Sequence, residues 1–218
     1  MEAQRGLRER KKLRTHRSIS ETAITLFLER GYDQVSVAEI AATAEVSKRT
    51  LFAYFPSKED LVLHRIADHE DEAARVVRGR HPGEAPLDAL HRHLRSALER
   101  RDPITGLCDQ PDVVAFYRLV VGTPTLTAAL TRYLTRGEDT LATALREAMP
   151  LDVPLAEQTA RLAACQILAV QRSLAHANQI GIAAGQTAHA RAPEALAEAD
   201  HAFNLLRKGL ETFCAPAP

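Results

Sequence analysis

SVAEIAATAEVSKRTLFAYFPSKEDL, Ser36 to Leu61, decides how the rest of the chain is read. Two of its serines carry helix-start signals. Ser36 with Glu39 forms a capping box, and Val35 with Ile40 a hydrophobic staple; Ser47 lacks the acid partner but has a staple in Val46 and Leu51. Val37, Ile40, Ala41 and Ala44 give the first short helix an apolar stripe, and only Glu45 and Val46 separate it from the next cap. Two short helices joined this tightly form a helix-turn-helix, with the second helix free to enter a major groove.

One feature runs against local electrostatics. Lys48 and Arg49 follow Ser47 directly, so two cations sit at the positive end of a helix dipole, at a cost of roughly 0.3–1 kcal/mol per charge. At about 100° per residue, Leu51 and Phe55 point inward together. Arg49 and Ala53 then point most nearly outward, flanked by Thr50 and Phe52, with Lys48 at the N-terminal mouth. A polyanion facing this surface supplies the compensation. Arginine bonds guanine in a bidentate way, lysine reaches guanine or phosphate, and threonine bonds a base edge or touches a thymine methyl. The small Ala53 lets the helix lie close. Two ordinary solvated cations are the plain alternative.

Upstream, Ile19, Ala23, Leu26 and Phe27 mark one face of a helix from about Arg10 to Arg30, stopped at Gly31. The formal net charge is zero, from 28 Lys and Arg against 28 Asp and Glu. It is unevenly spread: Arg5, Arg8, Arg10, Lys11, Lys12, Arg14 and Arg17 crowd the first 18 residues, against Glu2 and Glu9. A basic arm on a net acidic remainder suits a polyanionic partner for the first part only, unless the arm is just a solvated tail.

Downstream, Ser57 with Asp60, placed after Pro56, predicts a helix running through about Arg78. The stretch GRHPGEAP, Gly79 to Pro86, is the first clear break. Leu87, Leu90, Leu94 and Leu98 mark the next helix; Val113, Phe116, Tyr117 and Val120 mark a short one. Thr123 and Pro124 open a helix to about Met149. Leu155 to Asn178 is apolar almost all round and reads as a central helix, and GIAAGQTAHARAP as a flexible loop. The last helix carries Leu196, Ala199, Phe203, Leu206, Leu210 and Phe213 in a seam able to meet another long helix. Helix is predicted throughout and no sheet: 45% of residues are hydrophobic, Trp is absent, and alternating β-branched runs are scarce. The fold class predicted is all-α.

The charged N-terminus and the absence of any run of 18 apolar residues predict a cytoplasmic protein. Cys108, Cys165 and Cys214 are odd in number and widely spaced, as expected of reduced thiols. His91 and His93 do not share a helix face, which disfavours a metal site, and His64 and His69 read as surface or pocket residues. No nucleophile elbow, phosphate loop or zinc motif is present, so neither catalytic residues, metal nor cofactor is assigned.

The stretch VSKRTLFAYFPSKEDLV resembles the signature of the TetR (tetracycline-repressor-like) transcriptional regulators, and the helix before it together with SVAEIAATA resembles the rest of their N-terminal domain. The likeness is close over about the first 65 residues; beyond that only helix count and order match. It implies a three-helix DNA-binding domain, a connecting helix, and a C-terminal helical domain that dimerises through its last two long helices around an inducer pocket. Domains are accordingly expected at 1–56, for DNA binding, and 57–218, for regulation and dimerisation. By this resemblance Lys48, Arg49 and Thr50 contact bases or backbone, Tyr54 and Lys58 contact phosphates, and Ser36 and Val37 approach the backbone. Two positions depart from the family pattern: Glu45 replaces the usual turn glycine, and Phe52 lacks the hydroxyl of the usual tyrosine. Helix patterning with the family likeness places Phe116, Tyr117, Tyr133, Gln166 and Arg172 at a ligand pocket; for the three aromatic residues, plain core is the alternative.

The function implied is a homodimeric repressor on a palindromic or pseudo-palindromic duplex operator, released by a small-molecule inducer, with no membrane partner. The alternatives are a TetR-like activator or global regulator without an inducer, and a helical interaction or membrane-surface module.

Overall fold

The structure, a computed structural model, describes residues 2–150 and 152–209, with side chains from residue 10 onward. It is all-α. Its helices are α1 (Glu2–Arg30), α2 (Val37–Thr43), α3 (Lys48–Tyr54), α4 (Asp60–Ala67), α5 (Glu72–Arg78), α6 (Pro86–Glu99), α7 (Pro111–Gly122), α8 (Pro124–Glu147), α9 (Ala156–Ala183) and α10 (Ala188–Gly209). A 3-10 turn spans Pro103–Thr105, and no strand occurs among the described residues. Two compact units result: Met1–Arg65 with Ala115–Leu130, and Ile66–Val114 with Thr131–Pro218.

In the first unit, α1 stops where Gly31 takes φ +87 and its amide donates to the Phe27 carbonyl at 2.9 Å. Ile19, Ala23 and Phe27 of α1, Ile40 and Ala41 of α2, Leu51 of α3, Phe55, and Leu61 and Val62 of α4 are buried. Each large apolar side chain buried this way contributes about 1.5–3 kcal/mol. The Ser20 hydroxyl on α1 donates to the Leu61 carbonyl at 3.2 Å, a buried bond that ties α1 to α4.

In the second unit, Val77, Leu90, Leu141, Leu145, Ile167 and Phe203 meet in one core, drawn from five helices. Ala160, Ala163 and Ala164 give α9 the flat face this packing needs. A second cluster gathers Leu98, Leu107, Ile182, Ala195 and Ala199. Gly106, at φ +71, follows the 3-10 turn; a Cβ there would lie 2.2 Å from the Ala175 carbonyl oxygen, so only glycine lets the loop pass α9 this closely. Asn178 of α9 seals the contact by donating to the Thr105 carbonyl at 2.9 Å.

Three expectations need correction. The helix predicted from Ser57 to Arg78 is broken: after α4 the amides of His69 and Glu70 bond to the carbonyls of Ile66 and Ala67 in tight three-residue turns, and α5 starts anew at Glu72. Asp68, Glu70 and Asp71 put negative charge at the carbonyl end of α4, where the dipole opposes it. Second, the supposed loop after residue 180 is mostly helix. α9 runs on to Ala183, and α10 begins at Ala188 with Pro193 inside it. Thr187 accepts from the Ala190 amide at 3.2 Å and Asp109 from the Ala188 amide at 2.9 Å, so the start of α10 is capped from two sides. Third, α9, predicted as a central helix, is not enclosed on all sides: Leu162, Gln166, Ala169, Ser173, His176 and Ile180 form an exposed stripe. Leu210, Phe213 and Cys214 lie outside the described residues. No single helix among the described residues is long and apolar enough to cross a membrane; α7 and α8 reach that composition only jointly, across a 95° bend.

Candidate nucleic-acid interface and cavity

Both serine caps of the opening stretch form. Ser36 accepts from the Glu39 amide at 3.2 Å, but the Glu39 carboxylate turns to Arg30 on α1 instead of closing the box. Ser47 accepts from the Thr50 amide at 3.0 Å, and its hydroxyl lies 2.8 Å from that of Thr50. The threonine therefore stands where a capping acid would have stood, and the first turn of α3 stays free of negative charge. Between the helices, the Val46 amide bonds to the Ala41 carbonyl at 2.9 Å and the Glu45 amide to Ala42 at 3.1 Å. This paired arrangement is a Schellman cap, and it holds Glu45 at φ +54, the left-handed conformation the departure from glycine made costly.

With Leu51 and Phe55 buried, α3 presents Lys48, Arg49, Phe52 and Ala53 to solvent, Phe52 at 46% exposure. Thr50 and Tyr54 flank them, half-buried, and Ser36 and Val37 stand exposed and half-exposed at the start of α2. Neither Lys48 nor Arg49 takes an ion-pair partner among the described residues. Lys58 is placed differently. Its ammonium donates to the Tyr32 carbonyl at 2.6 Å and lies 4.2 Å from the centre of the Tyr32 ring, and burial lowers its pKa from the ordinary lysine value. Reading the sequence also missed His16, whose ring packs on Phe55 with centroids 4.3 Å apart and supports the inner side of α3.

The second unit holds a cavity of about 200 Å³. Leu90, Leu94, Leu98, Leu168 and Leu174 make its walls mainly apolar. Of the five residues predicted to line a pocket, Tyr133 and Arg172 do so. Gln166 is exposed on α9, and Phe116 and Tyr117 belong to the first unit, where their rings meet edge to face and Arg65 lies over Phe116. The cavity also gathers a polar cluster not legible in sequence. Glu72 accepts from His69 Nδ1 at 2.6 Å through one oxygen and from His93 Nε2 at 3.0 Å through the other. These bonds hold the Glu72 carboxyl well below the usual carboxylate range and raise His69. His91 instead pairs with Asp200 and stacks on Phe203, so the H-x-H spacing does divide between two faces. Arg172 is bound to Glu138 at 3.1 Å and Arg136 to Glu70 at 3.2 Å. Cys165 donates its thiol to Glu138, and Cys108 is a buried free thiol.

The model for bacterial regulatory proteins of the tetR family matches residues 19–64, the stretch from mid-α1 to α4. The HTH-type transcriptional regulator TcmR of Streptomyces glaucescens is 38% identical over 135 residues, covering 62% of this chain and 58% of that protein. YuxN of Bacillus subtilis, an uncharacterized HTH-type regulator, is 35% identical over 104 residues, 45% of this chain and 34% of its own. The chain thus spans about half the length, or less, of these curated relatives. Among solved structures, NalD of Pseudomonas aeruginosa superposes with a TM-score of 0.57 at 17% identity, over 88% of this chain and 96% of NalD, a likeness of fold. Two capped helices joined by a tight turn, with outward cations on the second, make a helix-turn-helix, the motif of one class of DNA-binding proteins. Within that class, residues 19–64 match the tetR family of bacterial regulatory proteins, and the relatives named above are regulators of the helix-turn-helix type.

Proposed function

We propose that the chain is a sequence-specific transcriptional repressor that binds a palindromic or pseudo-palindromic operator as a homodimer and leaves it when a small molecule enters the cavity. The observation that carries this reading is the pair of exposed cations in the first turn of α3, without an ion-pair partner among the described residues, a placement the helix dipole disfavours and a facing polyanion would stabilise. Residues 1–56 read DNA and residues 57–218 sense and dimerise. Lys48, Arg49 and Thr50 meet bases or backbone, with Phe52 and Ala53 at the groove wall and Ser36, Val37 and Tyr54 beside the phosphates. Lys58, engaged by Tyr32, acts at most through its remaining donors. The exposed stripe on α9 and Leu205 on α10 support pairing of two copies. Paired heads require half-sites about 34–36 Å apart or a multiple of that. The mainly apolar cavity supports the inducible reading over an inducer-free regulator, and ligand and DNA must then oppose each other reciprocally. The protein works in the cytoplasm and catalyses nothing.

Footprinting on the DNA upstream of the chain's own gene tests the reading. Two protected half-sites are expected with the wild type, and loss of the preference for that DNA with Arg49→Ala. Equal affinity of both proteins for operator and random duplex would refute it, as would stronger binding to anionic vesicles than to duplex at matched salt.

A further inference from the structure

The cavity in the second unit has a polar corner of unusual composition, one carboxylate held between two imidazoles. Building on the inducible reading above, we infer that this corner recognises the hydroxyl of a compact, uncharged, otherwise apolar molecule, and that anionic acids are excluded.

Size comes first. An apolar cavity of about 150 Å³ takes one benzene ring, so a cavity of about 200 Å³ suits a substituted ring or a small fused pair. Charge comes next. The wall contains Glu70, Glu72 and Arg172, and the arginine is already neutralised by Glu138. Arg136, the other nearby cation, is held by Glu70. An entering carboxylate would therefore meet Glu72 with no uncommitted guanidinium among the described lining residues, and the charge of any protonated imidazole there is already answered by Glu72, so a second anion would be buried unpaired, which is costly.

The polar corner selects the functional group. A neutral imidazole donates through one nitrogen and accepts through the other. Because His69 Nδ1 and His93 Nε2 are both directed at the Glu72 carboxylate, each neutral ring keeps its second nitrogen as an acceptor. A protonated ring presents a donor there instead. A hydroxyl satisfies either state, since it donates and accepts; a carbonyl, carboxylate or bare ring does not. Glu72 thus sets the tautomers, and His69 and His93 touch the ligand.

The test uses the full chain without DNA, titrated calorimetrically at neutral pH with 1-naphthol, naphthalene and 1-naphthoate. The naphthol is expected to bind about tenfold more tightly than naphthalene, the worth of a satisfied hydrogen bond, with 1-naphthoate weakest. His93→Leu should bring naphthol down to the level of naphthalene. If that variant does not fold, the side-chain imidazole NMR signals of wild-type His69 and His93 serve: naphthol should move them and naphthoate should not. Naphthoate binding as tightly as naphthol, no binding by any probe, or stationary imidazole signals would overturn the inference. A separate operator-retardation assay keeps the two readings apart. Tight naphthol binding by a chain that retards no DNA would sink the regulator and leave the cavity chemistry standing; normal retardation without naphthol binding would do the reverse.

Discussion

The cations on α3 and those around the cavity of the second unit are held in opposite ways. Lys48 and Arg49 stand exposed at the wrong end of a helix dipole with no carboxylate among the described residues to answer them, whereas Arg172 and Arg136 are each bound to a glutamate. An unanswered charge on a well-capped helix is available to a charge outside the chain; an answered one leaves a wall with less net charge to offer. On the reading proposed above, one surface suits a polyanion and the other a neutral ligand, and the pairing state of the cations marks which is which.

The harshest way to break this comparison leaves both sets of charges in place and removes the platform under one. Leu51 is fully buried beneath the α3 surface. Leu51→Ala should cost about 2–5 kcal/mol of stability, read as a lowered urea midpoint, while Phe52→Ala on the outer side should stay within about 0.5 kcal/mol. Equal losses would mean that α3 has no distinct inner and outer sides.

The charges themselves are tested next. Arg49→Ala should weaken binding to the preferred duplex by about 1–3 kcal/mol with little change on random DNA. Lys48→Ala, if it meets phosphate, should weaken both alike and reduce the slope of affinity against salt by about one. Competition retardation over a salt series separates these outcomes, and unchanged melting temperatures would show that the lost function is not lost folding.

The two regions also differ in how much of them the sequence discloses. The reading head is written in local signals: both caps, the stripe of α2 and the inward pair on α3 lie within a few residues of their partners, and each is found where its spacing puts it. Even here the Glu39 carboxylate chose Arg30, nine residues back, over closing its own box. The second unit is decided at long range. The start of α10 depends on Asp109, and the cavity's polar corner on His93 reaching Glu72 from another helix. Periodicity finds helices and cannot find such pairs, so Tyr133 and Arg172 were legible as cavity residues while Glu72, His69 and His93 together were not.

The polar corner can be probed by pH as well. Glu72 is depressed by its histidine partners, so its contribution is present above the ordinary value of 4.5 and is lost as pH falls. His69 is raised, so its contribution is complete below 6.5 and is lost as pH rises through its elevated value. Both are present together between about 4.5 and 6.5. Glu72→Gln should therefore lose most stability relative to wild type in that window, about 1–2 kcal/mol, and less on either side. A difference independent of pH from 4 to 8 would separate the histidines from the carboxylate.

The smallest effect comes from two helix ends built alike. After α2, Glu45 occupies the left-handed position of a Schellman cap at φ +54; after α9, Gly185 occupies the same position at φ +94. The bond pattern repeats, with the Gln186 amide on the Gly181 carbonyl at 3.1 Å and the Gly185 amide on Ile182 at 3.0 Å. A side chain in this conformation costs about 1 kcal/mol or slightly more, because Cβ crowds the following carbonyl. Nothing lies within 4 Å of a Cβ built on Gly185, so Gly185→Ala isolates the backbone term and should destabilise by about 1 kcal/mol. Glu45→Gly should give back a similar amount, reduced by the extra freedom glycine adds to the unfolded chain, for a net gain of about 0.5 kcal/mol. Opposite shifts in urea midpoint are thus expected from two substitutions at equivalent positions. If Glu45→Gly stabilises the chain without changing duplex affinity, the glutamate is only strained; if stability rises while affinity falls, the stiffness Glu45 gives the turn is part of how α3 is held toward DNA.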